Sequence, residues 1–113
     1  MARAISPWPS IGETMRNNDI VTALAEGKTI KYRPTGNSMQ GKIESGQLVT
    51  VEPLGTHEVQ KGDVVFCKVR RNYYLHLVTA VKGKQIQISN NKGHVNGWIT
   101  INGIFGRCVM VQP

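Results

Sequence analysis

Apolar and polar residues alternate along most of the chain after residue 28, with the two-residue period of a β-strand. The alternation is strictest in residues 84–89, where Ile86 and Ile88 share one face and Gln85 and Gln87 share the other. The same pattern predicts further strands at residues 29–33, 47–52, 63–69, 73–81, 98–101 and 104–111. Short strands in this number, with little helix, predict a mainly β-fold that is compact and antiparallel.

A single helical pattern lies near the N-terminus, at about residues 18–26. Its apolar face consists of Ile20, Val21, Ala23 and Leu24. We expect Asn17, Asn18 or Asp19 to cap the first turn and Gly27 to end the helix. Because so short a helix is not stable alone, it is expected to dock on the sheet.

The 113 residues are predicted to form one domain. Residues 1–28 are expected to form an N-terminal arm and the short helix, and residues 29–113 the β-domain. Pro7 and Pro9 predict that the arm begins as extended chain, with Trp8 between them packing on the core. No apolar run reaches the length of about 18 residues that a membrane span needs, and the N-terminus lacks a signal-peptide pattern. We therefore expect a soluble, cytoplasmic protein without a membrane anchor.

Glycine and polar residues mark the connections between the predicted strands. Lys82 and Gly83 are predicted to form a two-residue hairpin turn. Residues 70–72 form a basic turn in this interpretation, and residues 90–97 a polar loop. His57 lies in a connecting loop and is assigned no role.

The two cysteines, Cys67 and Cys108, both fall in apolar runs that are predicted to be strands. Without a secretory signal, free thiols are favoured over a disulfide, and both side chains are expected to be buried. Two cysteines without a clustered pair of histidines do not make a zinc site. The sequence therefore predicts no metal site and no cofactor.

The formal net charge of +7 comes entirely from the second half of the chain. Acidic and basic side chains balance in residues 1–63, whereas residues 64–113 contain no Asp or Glu. Such asymmetry favours an acidic partner, of which nucleic acid is the first candidate. The alternative is that these residues occupy solvent-facing turns. The candidate nucleic-acid contacts are Arg70, Arg71, Lys82, Lys84 and Lys92.

A stretch between two predicted strands, residues 36–47, combines glycine turns with a serine. Gly36 and Gly41 frame Ser38, and glycine permits tight backbone conformations and the close approach of a ligand. Such a turn suits a serine nucleophile with backbone N–H groups nearby for a developing oxyanion. The neighbours Asn37 and Met39 are therefore the candidate oxyanion and substrate turn. The alternative is an ordinary polar loop.

Four short motifs in this order resemble the signal peptidase and LexA-type serine peptidase superfamily. Residues 36–39, Gly-Asn-Ser-Met, followed by a glycine turn and an apolar strand, resemble the nucleophile box. Residues 61–68, Lys-Gly-Asp-Val-Val-Phe-Cys-Lys, resemble the "K-G-D-x-V-x-F" strand. Residues 74–78, Tyr-Leu-His-Leu-Val, resemble the strand that carries the second catalytic residue. Residues 103–109, Gly-Ile-Phe-Gly-Arg-Cys-Val, resemble the closing strand.

The resemblance implies a LexA/signal-peptidase-like β-fold and a polypeptide substrate or protein partner. It also implies that Ser38 is the nucleophile and His76 the base. The base is lysine in bacterial signal peptidases and LexA-type proteins, and histidine in the endoplasmic-reticulum and archaeal type. In a strand, Tyr74, His76 and Val78 share one face, toward which the resemblance places Ser38.

The nucleophile box departs from the superfamily's pattern at two points. Gly41 stands where the box usually has proline. Gly46-Gln47 stands where the box is usually followed by Gly-Asp. Both departures put a working peptidase in question.

The candidate base lacks an evident acidic partner. The histidine-type enzymes carry an aspartate in a Gly-Asp-Asn-Asn stretch, and the matching residues 89–91 read Ser-Asn-Asn. No Asp or Glu follows Asp63 anywhere in the chain. Ser89 and Asn90 are the candidates to orient the His76 ring by hydrogen bonding, without supplying charge.

Three functions from different classes remain open at this point. The first is a serine peptidase that uses Ser38 and His76. The second is a catalytically degenerate peptidase fold that binds or regulates another protein. A small stand-alone domain of this kind would suit a phage genome. The third is a basic nucleic-acid-binding β-domain. LexA-type proteins carry a DNA-binding domain before the peptidase domain, and the first 28 residues are too few for one. The oligomeric state is left open.

Overall fold

The computed structural model describes residues 16–113, which contain one α-helix, seven strands and a short 3₁₀-helix at Ile101–Gly103. The α-helix and the strands are labelled in chain order. They are α1 (Asn17–Ala25), β1 (Ile30–Tyr32), β2 (Leu48–Pro53), β3 (Val64–Val69), β4 (Asn72–Lys82), β5 (Gln85–Ser89), β6 (Val95–Ile99) and β7 (Ile104–Gln112). The predicted mainly antiparallel β-fold with one short N-terminal helix is confirmed. The predicted arm, including Trp8, lies outside the described residues.

The seven strands form one sheet in the order β1-β2-β7-β3-β4-β5-β6, and every neighbouring pair is antiparallel. The last strand of the chain lies between β2 and β3, where Val51 pairs with Cys108 and Val65 with Arg107. The C-terminal strand therefore joins the half of the sheet that precedes residue 54 to the half that follows it.

The alternation of the strands divides the buried side chains into two apolar clusters. On β3, Phe66 belongs to one cluster, and Val65 and Cys67 belong to the other. Ile20 and Leu24 bring α1 onto the first cluster, so the predicted docking face is confirmed. Met39 and Ile43, from the connection between β1 and β2, are buried in the same cluster.

Gly106 lies at the closest approach between α1, β2 and β7. A Cβ atom at this position would collide with the backbone carbonyl oxygen of Glu52 and would lie 3.1 Å from both methyl groups of Leu24. Its φ angle lies outside the left-handed region, so the requirement for glycine here is one of space. The closing-strand motif therefore contains a glycine because three elements meet there.

Several predicted boundaries are wrong by one to three residues. Arg16 is the N-cap of α1 and makes no side-chain cap hydrogen bond, and all three predicted capping residues lie inside the first turn. The hairpin turn after β4 lies at Gly83 and Lys84, since Lys82 still pairs with Gln85. The turn keeps its two residues but lies one position later, since β4 includes Lys82 and β5 begins only at Gln85.

The strand β6 begins within the predicted polar loop, which therefore ends at residue 94. Gly97 has a φ angle of 153°, and a Cβ atom there would lie 3.0 Å from Cγ1 of Val69. Gly97 suggested a loop in the sequence, but it lies within a strand, where the lack of a side chain leaves room for Val69.

Both cysteines are free, as predicted, but only Cys67 is fully buried. Burial raises the pKa of the Cys67 thiol to about 12. Cys108 is half-buried. The pairing of β3 with β7 ends at Arg107, so from Cys108 onwards β7 has a neighbouring strand, β2, on one edge only.

We predict that Gly106→Ala lowers the free energy of unfolding by about 2 kcal/mol or more, because the backbone of β2 has to move to admit the methyl group. Urea denaturation monitored by circular dichroism measures the change. Gly103→Ala is the matched control: its Cβ would meet the carbonyl oxygen of Lys68 at 3.1 Å and needs a smaller adjustment. Equal losses in the two variants would contradict this explanation of Gly106.

Candidate active site

Ser38 is presented by a tight turn whose apolar side chains are buried beneath it. The amides of Lys42 and Ile43 both donate to the carbonyl oxygen of Met39, at 2.9 and 2.8 Å. The side chains of Met39 and Ile43, four residues apart, point into the first apolar cluster, whereas Ser38 is exposed. The turn is therefore fixed from below by packing and presents its serine at the surface.

The conformation at Gly41 explains why the superfamily's proline is missing. Gly41 has a φ angle of 100°, which proline cannot adopt. Its N–H donates to a carboxylate oxygen of Glu44 at 2.7 Å, and proline has no N–H to donate. The nucleophile turn of this chain thus uses a different backbone conformation after the serine.

The structure brings Ser38 and His76 into hydrogen-bond contact. Ser38 Oγ lies 3.0 Å from Nε2 of His76, although the two residues are 38 positions apart in the chain. His76 lies on β4 and its side chain is only 5% exposed. The ring of Tyr74 stacks on the imidazole with a centroid distance of 4.6 Å. The distance of 3.0 Å between Ser38 Oγ and His76 Nε2 is within the range over which a base can accept a proton from a hydroxyl.

Asn96 holds the other ring nitrogen of His76. The Nδ1 atom lies 2.8 Å from the side-chain oxygen Oδ1 of Asn96. Because a carbonyl oxygen can only accept, Nδ1 carries the hydrogen and donates it. In the neutral ring this leaves Nε2 as the acceptor for the hydroxyl of Ser38, which is the tautomer that a general base needs.

A β-bulge aims Asn96 at the ring. Ile88 pairs with Gly97 and Ser89 pairs with Val95, so Asn96 is the extra residue of β6 and has no partner on β5. A bulged residue leaves the regular alternation and can point to the other side of its strand. Asn96 therefore reaches His76 from a strand that is two positions away in the sheet.

The predicted orienting residues make their hydrogen bonds elsewhere, and Asn96 replaces them. Ser89 Oγ lies 2.8 Å from Oγ1 of Thr79. The side-chain oxygen of Asn90 accepts the backbone N–H groups of Lys92 and His94, at 2.8 and 2.9 Å, and so shapes its own loop. The resemblance to the superfamily placed the orienting group at Ser89 or Asn90, because the bulge at residue 96 leaves no trace in the apolar pattern.

Burial lowers the pKa of His76 from its ordinary value of 6.5. The hydrogen bond to Asn96 acts in the opposite direction, and the nearby His94 lowers the pKa further. The ring is therefore neutral at pH 7 and available as a base.

Asn37 and Met39 flank the nucleophile, as the sequence indicated. The carbonyl groups of both residues accept hydrogen bonds within the turn. Among the described residues, the N–H groups of Ser38 and Met39 donate no hydrogen bond to the protein. These two amides are the candidate donors to an oxyanion, and their role stays a prediction.

A cleft of about 500 Å³ opens beside Ser38 and His76. Its lining includes residues 32–36 and the aromatic residues Phe66, Tyr73 and Tyr74. A lining that mixes polar and apolar groups is suited to an extended peptide, which needs apolar contacts for side chains and polar partners for its main chain.

The carboxylate nearest in sequence to the base is engaged elsewhere. Asp63 accepts a hydrogen bond from His57 at 2.8 Å, which gives His57 a structural partner that the sequence analysis missed. Asp63 also accepts the backbone N–H of Gln60 at 3.0 Å, so it holds the loop before β3. A neutral amide, and not a carboxylate, therefore faces Nδ1 of His76.

The candidate nucleic-acid contacts do not form one patch. Arg70 and Arg71 lie at the start of the eleven-residue β4, and Lys82 and Lys84 lie at its other end, about 35 Å away at the usual rise of a strand. Lys92 lies in the β5–β6 loop. Binding of nucleic acid by these residues stays a prediction. Within residues 16–113 no helix is long and apolar enough to cross a membrane.

We predict that the His76 ring titrates below pH 6.5, because burial penalises its charged form. The unfolded chain then binds more protons at this site than the folded protein does. The stability contributed by the neutral ring is present above about pH 6.5 and is lost as the pH falls below that value. NMR titration of the ring measures the midpoint, and a midpoint at or above 6.5 would contradict the prediction.

The family comparison agrees with the fold and with the order of the motifs. A family model described as Peptidase S24-like matches residues 11–108, which is most of the chain and includes Ser38, His76 and Asn96. No curated protein shows a significant match to the chain. The resemblance to the LexA and signal peptidase superfamily is thereby confirmed. The chain belongs to the Peptidase S24-like family.

Proposed function

We propose that the chain hydrolyses peptide bonds, with Ser38 as the nucleophile and His76 as the general base. The observation that carries the proposal is the ordered pair of hydrogen bonds at one imidazole. Nε2 lies 3.0 Å from Ser38 Oγ, and Nδ1 lies 2.8 Å from Asn96 Oδ1. Membership of a peptidase family supplies the reaction class.

The geometry supports the two steps of acyl transfer. Ser38 gives its hydroxyl proton to Nε2 of His76 while Oγ attacks the carbonyl carbon of the peptide, and the negative charge develops on the carbonyl oxygen. The same proton then passes from Nε2 to the departing amine as the carbon–nitrogen bond breaks. A water molecule next gives a proton to Nε2 and attacks the acyl carbon, and Ser38 Oγ leaves with that proton.

Asn96 keeps the imidazole oriented through both steps but provides only a neutral acceptor for Nδ1–H. A carboxylate in this position stabilises the imidazolium by charge, and an amide oxygen stabilises it far less. The rate is therefore expected to be low compared with that of enzymes that contain a full serine–histidine–acid triad.

The neutral partner of His76 also favours a second candidate, a peptidase fold that binds peptide segments without cleaving them. The cleft would serve both functions, because recognition of an extended chain precedes cleavage. The two proposals differ in the reactivity of Ser38, which is independent of the identity of the natural substrate.

We predict that a fluorophosphonate probe labels the protein at Ser38, because His76 activates the hydroxyl. Ser38→Ala removes the site, and His76→Ala slows labelling at least about 10²-fold. Intact-protein mass spectrometry gives the rate, and peptide mapping gives the position.

Two variants serve as matched controls for that experiment. Ser89→Ala removes a buried hydroxyl that bonds to Thr79, and His57→Ala removes a histidine that bonds to Asp63. Both are expected to label at the wild-type rate when folded. Absence of labelling in the wild-type protein, or labelling that persists in Ser38→Ala, would refute the peptidase proposal.

We predict that Asn96→Asp raises the labelling rate about 10-fold or more, because a carboxylate beside Nδ1 stabilises the imidazolium and raises the pKa of His76. The midpoint of the pH–rate profile should move to higher pH in the same variant. Asn90→Asp adds the same charge in the adjacent loop, where the side-chain oxygen accepts only backbone N–H groups, and should change neither quantity. Equal effects of the two substitutions would count against the assigned role of Asn96.

A further inference from the structure

Asn91 ties the nucleophile turn to the loop that connects β5 and β6. Its backbone N–H donates to the carbonyl oxygen of Ser38 at 2.8 Å, and its side-chain Nδ2 donates to the carbonyl oxygen of Gln40 at 2.9 Å. In the described part of the chain, these are the two hydrogen bonds that join the main chain of this turn to the second half of the protein. One residue therefore holds the backbone on both sides of Met39.

The approach of Asn91 depends on the absence of a side chain at residue 41. A Cβ atom on Gly41 would lie 3.0 Å from Nδ2 of Asn91, closer than this amide can accommodate without shifting. Proline at this position would restrict the turn through its fixed φ angle. In this chain Gly41 leaves that space open, and the amide of Asn91 braces the turn from outside.

The loop that carries Asn91 is itself ordered by its own hydrogen bonds. The backbone N–H of Asn90 donates to the carbonyl oxygen of His94 at 2.9 Å, and the side-chain oxygen of Asn90 accepts two further N–H groups of the loop. Asn96, which orients the His76 ring, is the second residue of β6, directly after this loop. The loop thus contacts the nucleophile turn through Asn91, and the strand that follows it contacts the base through Asn96.

We propose that Asn91 is a positioning residue that sets the distance between Ser38 Oγ and His76 Nε2 from the nucleophile's side. Its kinetic consequence rests on the proposed peptidase function. A nucleophile has to lie within a few tenths of an ångström of its productive position, and a shift of about 1 Å costs on the order of 10²-fold in rate. Among the described residues, Asn91 makes no hydrogen bond to the Ser38 hydroxyl or to the imidazole, so it acts only by placing the turn.

The test is the rate of labelling of Ser38 by a fluorophosphonate in Asn91→Ala and Asn91→Asp. The first variant removes the bond to the Gln40 carbonyl oxygen, and the second replaces its donor with a repelling oxygen of the same size. Labelling should slow about 10-fold or more in both. The midpoint of the pH–rate profile should stay unchanged, because the burial of the imidazole and its bond to Asn96 remain in place.

Gln87→Ala is the matched control for general loss of stability. It removes one side-chain hydrogen bond, to Thr79, from the same strand region without contact with the turn. It should label at the wild-type rate with a similar decrease in melting temperature. Wild-type labelling in both Asn91 variants, or equal slowing in Gln87→Ala, would overturn the proposal.

A crystal structure of Asn91→Ala tests the positioning role even if the wild-type protein is not labelled. Separation of Ser38 Oγ from His76 Nε2 beyond about 3.5 Å supports the proposal, because no hydrogen bond then remains. A separation that stays near 3.0 Å overturns it. Failure of wild-type labelling combined with this separation would refute the peptidase and leave the role of Asn91 established.

Discussion

The hydrogen bond between Nδ1 of His76 and the side-chain oxygen of Asn96 determines what the rest of the site can do. Because the amide oxygen only accepts, the bond places the ring hydrogen on Nδ1 and leaves Nε2 free to accept from Ser38. With the hydrogen on the other nitrogen, the same 3.0 Å contact would make the ring a donor to the serine. The distance between Ser38 and His76 would be unchanged, but Nε2 could not act as a base.

Each half of the site is fixed by a different kind of interaction. Packing of Met39 and Ile43 holds the nucleophile turn against the first apolar cluster. Backbone pairing holds β4, which carries His76, between β3 and β5. Burial of the ring then keeps it neutral near pH 7, because the charged form would lose its hydration. Asn91 in the loop between β5 and β6 and Asn96 on β6 align the two halves by hydrogen bonds, which are more directional than apolar contacts.

Most of the fold follows from patterns that are visible in the sequence. Alternation along residues 85–89 identifies β5, and the apolar face of Ile20 and Leu24 identifies the docked helix. The pairing of Ser38 with His76 could be predicted only from the order of motifs in the superfamily, because the two residues are 38 positions apart. Alternation contains no information about which distant strand faces a given turn.

The partner of His76 could not be predicted, for a physical reason. Asn96 reaches the ring because one extra residue in β6 breaks the two-residue period, and such a bulge depends on the register between strands. Gly97 also led to the prediction of a loop where β6 lies, since glycine is unfavourable in most strands. The bracing by Asn91 was missed for a similar reason, since it depends on the space left open at Gly41.

The most direct test of this account is the tautomer of the neutral His76 ring, observed by long-range ¹H–¹⁵N correlation NMR near pH 8. The account predicts that Nδ1 carries the hydrogen, with Nε2 showing the chemical shift of an unprotonated ring nitrogen, and that Asn96→Ala weakens this preference. A ring with its hydrogen on Nε2 in the wild-type protein would contradict the account, because that nitrogen could then accept no proton from Ser38.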